Sequence, residues 1–457
     1  MARRPPGHLH QACRLGRRPL RGQARRAAPD PHHLLLILGA GRRHNARMAK
    51  TKSLAPTVAS RRQLRILQEL VNLPTAPFVE RYVIAYIRAF VAARPSLRMA
   101  IDRFGNLLVT YSPARKSSAP RRAKSSGRPI LFAAHMDHPG FAATRMIDAR
   151  RVEAEFRGWV STPYFAGEKI QFFDNGRWIP ATIERVLNEQ PATAGARRAT
   201  RSANTFRNER PPRGVIARVA RPVAPGSPGM WALPDARLRG HQLHARVCDD
   251  LAGLAAVLCM LDEICRRRIP TLAYAFFTRA EEVGFAGALA AVEAKTVPRK
   301  AVVVAVECSK AIAGVQFGDG PVLRVGDKAS VFTPAATAYC QVVAEALTER
   351  DASFRFQRKL MDGGTCESTA YCHHGYDATG ICLPLGNYHN MDAARGRIAT
   401  EYVDLRDYLN LVKWFVALAQ SPATLPYDGR HPGLSRRLDD LLRANRPKLL
   451  KTANGRG

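Results

Sequence analysis

The chain has 457 residues, 46% of them apolar, which is enough for one large or two ordinary domains with a buried core. Lys and Arg number 71 against 37 Asp and Glu, a formal net charge of +34, yet no aromatic-interleaved basic run or nucleic-acid motif accompanies that charge. No apolar run approaches the roughly 18 residues that a membrane-spanning helix needs, and nine singly scattered cysteines fit a reducing cytoplasm better than a disulfide framework.

The charge is peripheral. Residues 1–47 carry eleven Arg and one Asp, and further basic clusters fall at 113–128, at 196–213 and beyond Tyr427. These Ser/Pro/Arg-rich stretches lack helical or strand period and read as solvated loops and tails, so non-specific polyanion contact is the one nucleic-acid role expected of them. Residues 1–52 are expected to be a basic disordered extension, with Met48 as an alternative start. "LLLILGAG" at 34–41 is too short and too late for a signal peptide.

The first amphipathic helices are expected over 60–73 and 79–93, separated by "PTAP". Strands follow at 105–111 and 128–137, the second almost wholly apolar and therefore central in a sheet covered on both faces. Residues 145–235 read as a β-rich insertion of short, turn-punctuated segments. From Val247 an α/β rhythm resumes: a helix over "DDLAGLAAVLCMLDEICRR", a strand over "TLAYAFFTRAEE", a helix, and a strand over "AVVVAVE". Further on come helices near 335–349 and over "CESTAYCHH", strands near 353–360 and over "ATGICLP", and one long helix over 400–420. The fold predicted is α/β, a mixed, mostly parallel sheet flanked by helices on both faces, with a small β-rich inserted domain. The catalytic domain would comprise 53–144 and 236–427, the insertion 145–235, and a basic tail 428–457.

Ligands in such sheets bind beyond the carboxyl ends of the strands. Three apolar strands end in ionisable residues: His135 and Asp137, Glu281 and Glu282, and Glu307. Asp249 and Asp250 open a helix, and His389 follows a strand. Each has a bland reading when taken singly. The aspartate pair could cap its helix, Glu281 and Glu282 could be a solvated strand end, Glu307 could pair with an arginine and His389 could be a loop histidine. Their joint placement at strand ends and adjoining turns argues instead for a metal centre, because apolar strands that run into carboxylates cost several kcal/mol unless the charge finds a partner. The adjacent histidines at 373–374 point apart on a helix and read as structural. "GDGP" and "DGGT" lack phosphate-loop spacing.

With "HMDHPGF", "DDLAG", "EEVGFAGA", "GGTCESTAY" and "NYHN" in this order, the chain resembles the tetrahedral aminopeptidases, the glutamyl, leucyl and lysyl enzymes with two co-catalytic metals, from about Ser60 to Gln420. The resemblance implies a metallo-aminopeptidase with two divalent ions, best suited by zinc with cobalt or manganese as substitutes. It implies His135, Glu282, Glu307 and His389 as ligands, Asp249 as the bridge between ions, Asp137 as the group that orients His135, and Glu281 as general base. It also implies a peptide substrate and a homo-oligomer. Glu307 stands where the family usually has Asp, and "HP" at 138–139 and "TCEST" replace more usual pairs, which bears on substrate preference and on the twelve-subunit assembly. The competing readings are a deacylase or carboxypeptidase of the same clan, and a catalytically silent polyanion-binding protein.

Overall fold

The computed structural model describes residues 58–112, 128–187, 211–421 and 432–453, all within one unit, Pro56–Gly457. The extension 1–52, the alternative start at Met48 and most of the basic stretches at 113–128 and 196–213 lie outside the described residues. No described helix is long and apolar enough to cross a membrane.

Helices α1 (Val58–Leu70) and α2 (Arg81–Ala92) precede strands β1 (Leu97–Ile101), β2 (Leu107–Tyr111) and β3 (Ile130–His135). Six strands then form a closed barrel: β4 (Gly140–Asp148), β5 (Arg151–Arg157), β6 (Lys169–Asp174), β7 (Arg177–Leu187), β8 (Gly214–Val219) and β9 (Pro228–Trp231). Phe141, Phe156, Phe165 and Trp231 fill it, with ring centroids 4.8–6.5 Å apart. The β-rich segment thus starts directly after β3 at Gly140, five residues before the expected boundary at 145.

The short strands β10 (Arg237–Arg239) and β11 (Gln242–Ala245) lead to α3 (Leu251–Arg266). The chain continues through β12 (Ala273–Thr278), α4 (Ala286–Glu293), β13 (Val302–Lys310), β14 (Val322–Asp327), α5 (Pro334–Arg350), β15 (Gln357–Met361), α6 (Glu367–His373) and β16 (Asp377–Leu385). After β17 (Met391–Asp392) and β18 (Arg397–Ile398) come β19 (Glu401–Asp404), α7 (Leu405–Gln420) and α8 (Pro432–Ala453).

The main sheet has the order β1-β2-β12-β3-β13-β16-β14-β15. Its centre, β12-β3-β13-β16, is parallel, and β2 and β14 flank it antiparallel. The mixed sheet flanked by helices matches the expected fold class. Strand periodicity sorts the core into two faces. Ile130, Phe132, Ala134, Val304 and Val306 pack with α1, α3 and α7 on one face, and Leu131, Ala133 and Val303 pack with α4 and α6 on the other.

Two expectations change. The single helix over 400–420 is a strand followed by a helix. β19 pairs with β11 in antiparallel register, and Asp404 caps α7 by accepting the Arg406 N–H at 2.8 Å. The basic tail expected to be irregular holds α8, whose leucines recur at 434, 438, 441 and 442, a helical spacing that the density of Arg and Lys conceals.

Candidate metal centre

The parallel strands carry the candidate residues to one edge. β12 and β3 run in register, with Thr278 opposite His135, and β13 places Glu307 beside Cys382 of β16. Left-handed residues bend the chain at the strand exits. Ala280 and Phe285 bracket the Glu281-Glu282 turn, and Asn387, His389 and Asn390 form the other loop. Non-glycine residues in this region cost about 1–3 kcal/mol each and persist where the surroundings hold them in place.

The structure brings His135, Asp249, Glu281, Glu282, Glu307 and His389 together. Donor atoms within 4.8 Å of one another form a group from His135, Asp249 and Glu307, and a second from Asp249, Glu282 and His389. A third overlapping group contains His135, Glu281 and Glu282. His135 Nε2 lies 3.5 Å from Asp249 Oδ1 and 3.8 Å from Glu307 Oε2. His389 Nε2 lies 3.2 Å from Glu282 Oε2 and 3.8 Å from Asp249 Oδ2. Asp249 thus turns one oxygen to each imidazole.

Both rings are fixed in the same tautomer. His135 Nδ1 lies 3.1 Å from the Asp137 carbonyl and His389 Nδ1 lies 2.6 Å from the Trp159 carbonyl. A carbonyl can only accept, so each Nδ1 carries the hydrogen and each Nε2 faces the acids, the arrangement a metal-ligating histidine needs. Trp159 follows the barrel strand β5, so the insertion itself orients one imidazole.

Asp137 contributes differently from expectation. Its carboxylate is 3.6 Å from His135 Nδ1, farther than its own carbonyl, and it accepts the backbone N–H groups of Glu281 and Glu282 at 3.0 Å each. Asp250, for which helix capping was considered, makes no side-chain cap bond. His373 and His374 lie outside all three donor groups.

Several buried polar residues at the site escaped the sequence reading. Glu401, absorbed into the expected helix, accepts the N–H groups of Cys248 and Asp249 through Oε2 at 2.7 and 3.1 Å, and that of His389 through Oε1 at 2.8 Å. His138 joins the Asp249 carbonyl, at 2.7 Å, to Asn390 Oδ1, at 3.0 Å, and burial lowers its pKa. Glu367 is buried in the first turn of α6, and burial raises its pKa to about 8.

The electrostatics match a site built for cations. Burial pushes the Glu281 carboxyl well above its usual range, with Glu307 and Glu282 adding to the effect. For His389, burial opposes the charged ring but Glu282 and Asp249 outweigh it and raise the pKa to about 9. Asp249 Oδ1, Glu282 Oε1 and Glu307 Oε1 are buried without a hydrogen-bond partner. Buried carboxylate oxygens that lack a partner are costly unless a cation meets them, so these residues fit divalent metal ions.

An M42 glutamyl aminopeptidase family model matches residues 118–412. The TET1 peptidase of Pyrococcus horikoshii, described as assembling into a tetrahedron or a large octahedral shell, is 17% identical with a TM-score of 0.60, over 79% of this chain and 99% of that one. An aminopeptidase of the archaeon Desulfurococcus kamchatkensis is 18% identical with a TM-score of 0.59, over 79% of this chain and 95% of that one. An M18-family aminopeptidase of Thermotoga maritima shares the fold at 12% identity and a TM-score of 0.55, over 79% of this chain and 95% of that one. A search of curated proteins finds no match. With its matched span containing every residue of the candidate centre, the chain belongs to the M42 glutamyl aminopeptidase family, whose members are metal-dependent peptide hydrolases.

Proposed function

We propose that the protein is an aminopeptidase that removes N-terminal residues from peptides with the help of two divalent metal ions. The observation that carries this reading is Asp249, whose two oxygens face the imidazoles of two separate donor groups. His135 and Glu307 would hold one ion, Glu282 and His389 the other, and Asp249 both. The extra methylene of Glu307, relative to the aspartate usual in the family, still leaves its carboxylate within the group. The N/O donor set suits zinc, and cobalt or manganese would substitute.

When bound, the ions supply Lewis acidity, lowering the pKa of the attacking water and polarising the scissile carbonyl. The remaining work falls to the chain. Glu281 takes the proton from the water and returns it to the leaving amine, a role favoured by a buried carboxyl whose pKa is raised. Asp137 holds Glu281 in place through the Glu281 N–H, Glu401 holds the backbone of Asp249 and His389, and the Trp159 carbonyl fixes the His389 tautomer.

The TET1 peptidase's assembly supports a homo-oligomer here, and the eight described cysteines, all free thiols, support a reducing cytoplasm. The test is a panel of peptides with free and acetylated N-termini, given to the metal-loaded protein. Stepwise release of N-terminal residues from free peptides alone is expected. Cleavage of N-acylated amino acids or release from the C-terminus would move the protein to the deacylase or carboxypeptidase reading.

A further inference from the structure

We infer that Arg324 is the receptor for a side-chain carboxylate on the substrate's N-terminal residue, so that the enzyme prefers peptides beginning with Glu or Asp; this rests on the aminopeptidase reading above. Arg324 is 2% exposed. Its Nη1 donates to Ser309 Oγ at 2.9 Å, its Nε has no partner, and among the described residues no carboxylate lies within ion-pair distance of it. A guanidinium taken out of water without a carboxylate is costly, and its planar fork matches a carboxylate with two parallel hydrogen bonds.

The sheet aims this group at the metal centre. Arg324 of β14 and Ala305 of β13 both lie opposite Gly380 of β16, and Glu307 and Ser309 continue the same face of β13. Gly380 provides the room: a Cβ there would sit 3.1 Å from Arg324 Cδ. Arg324 and Glu307 then line one open cavity of about 440 Å³. At one end of that cavity stand Asp249, Glu281, Glu282 and Glu307, and the other lining residues include Arg324 and the exposed Lys310. A residue held at the reacting centre by its amino end and carrying an acidic side chain is complementary to this separation of charge.

The terminal carboxylate of a dipeptide has the same chemistry, and the experiment separates the two sources. Metal-loaded wild-type protein is assayed on Glu-, Gln-, Asp-, Asn- and Leu-p-nitroanilides, and on Leu-Ala against Leu-Ala-amide. Binding of free L-glutamate and L-glutamine is measured by calorimetry as a readout independent of turnover. The expected result is a preference for Glu over Gln of about a hundredfold in kcat/KM, with glutamate the tighter ligand. Arg324→Met should bring the Glu-to-Gln ratio towards one, and Arg324→Lys should retain part of it. Equal rates and affinities for Glu and Gln in the wild type would overturn the inference, as would a uniform loss in Arg324→Met with the ratio intact. Dependence on Arg324 confined to Leu-Ala would overturn it by assigning the residue to a terminal carboxylate. Arg324-dependent glutamate binding without hydrolysis of any free peptide would leave the subsite standing and remove the aminopeptidase reading.

Discussion

The carboxylate of Asp137 accepts one backbone N–H from Glu281 and one from Glu282, each at 3.0 Å. One residue two positions beyond a histidine on β3 therefore sets the turn that follows β12, and it does so at complete burial. Asp137→Ala removes both acceptors and frees the turn that carries Glu281 and Glu282. The expected result is a loss of about 10- to 100-fold in metal affinity or activity, read by chelator competition and steady-state kinetics. Asp137→Asn, which keeps one acceptor oxygen, should fall between.

Glu401 ties both sides of the centre together through three backbone N–H groups. Glu401→Gln turns an amide donor towards at least one of those donors. It should destabilise the fold by about 1–3 kcal/mol and weaken metal binding by about tenfold or more. Denaturant midpoints and metal titration of the same variant measure the two effects separately.

The metal-free protein should lose stability as pH rises. His389 is raised to about 9 by Glu282 and Asp249 against the opposing effect of burial, Glu401 to about 8 by burial and Asp249, and Glu367 to about 8 by burial. All three folded-state values lie above the unfolded ones. Their stabilising contribution is therefore complete below the ordinary His and Glu values and disappears as pH climbs through about 8 to 9. Calorimetry of the metal-free protein at neutral and at alkaline pH should show a falling Tm. Because bound metal displaces ligand protons, metal affinity should rise over the same interval.

A side chain at Gly253 has no room. A Cβ there would sit 2.1 Å from Asp250 Oδ1 and 2.7 Å from Val306 Cγ1. Gly253→Ala improves helix propensity by about 1 kcal/mol, but the clash with the first turn of α3 should dominate and leave a net loss of about 1–3 kcal/mol. Urea unfolding checks the sign.

What could be read from the sequence divides along a physical line. His135, Glu281, Glu282 and Glu307 were visible because apolar strands rarely end in charges without a reason, and alternation with helices placed those ends on one edge. Glu401 was hidden because "TEYVDLRDY" has helical spacing, and only the pairing of β11 with β19 shows its first four residues to be a strand. Arg324 was hidden because β14 pairs antiparallel within an otherwise α/β rhythm, and a lone arginine in "PVLRVGD" carries no periodic signal. The contributions of Trp159 and Asp137 to their neighbours pass through backbone atoms, which side-chain identity does not encode.

The most direct measurement is metal stoichiometry of the purified protein by elemental analysis, paired with the activity of Glu281→Gln on free peptides. The account predicts about two divalent ions per chain, retained in the variant, and a loss of hydrolysis of about a hundredfold or more when the proton carrier is removed. A metal-replete preparation that binds no ion, or a Glu281→Gln variant that hydrolyses free peptides at the wild-type rate, would contradict it.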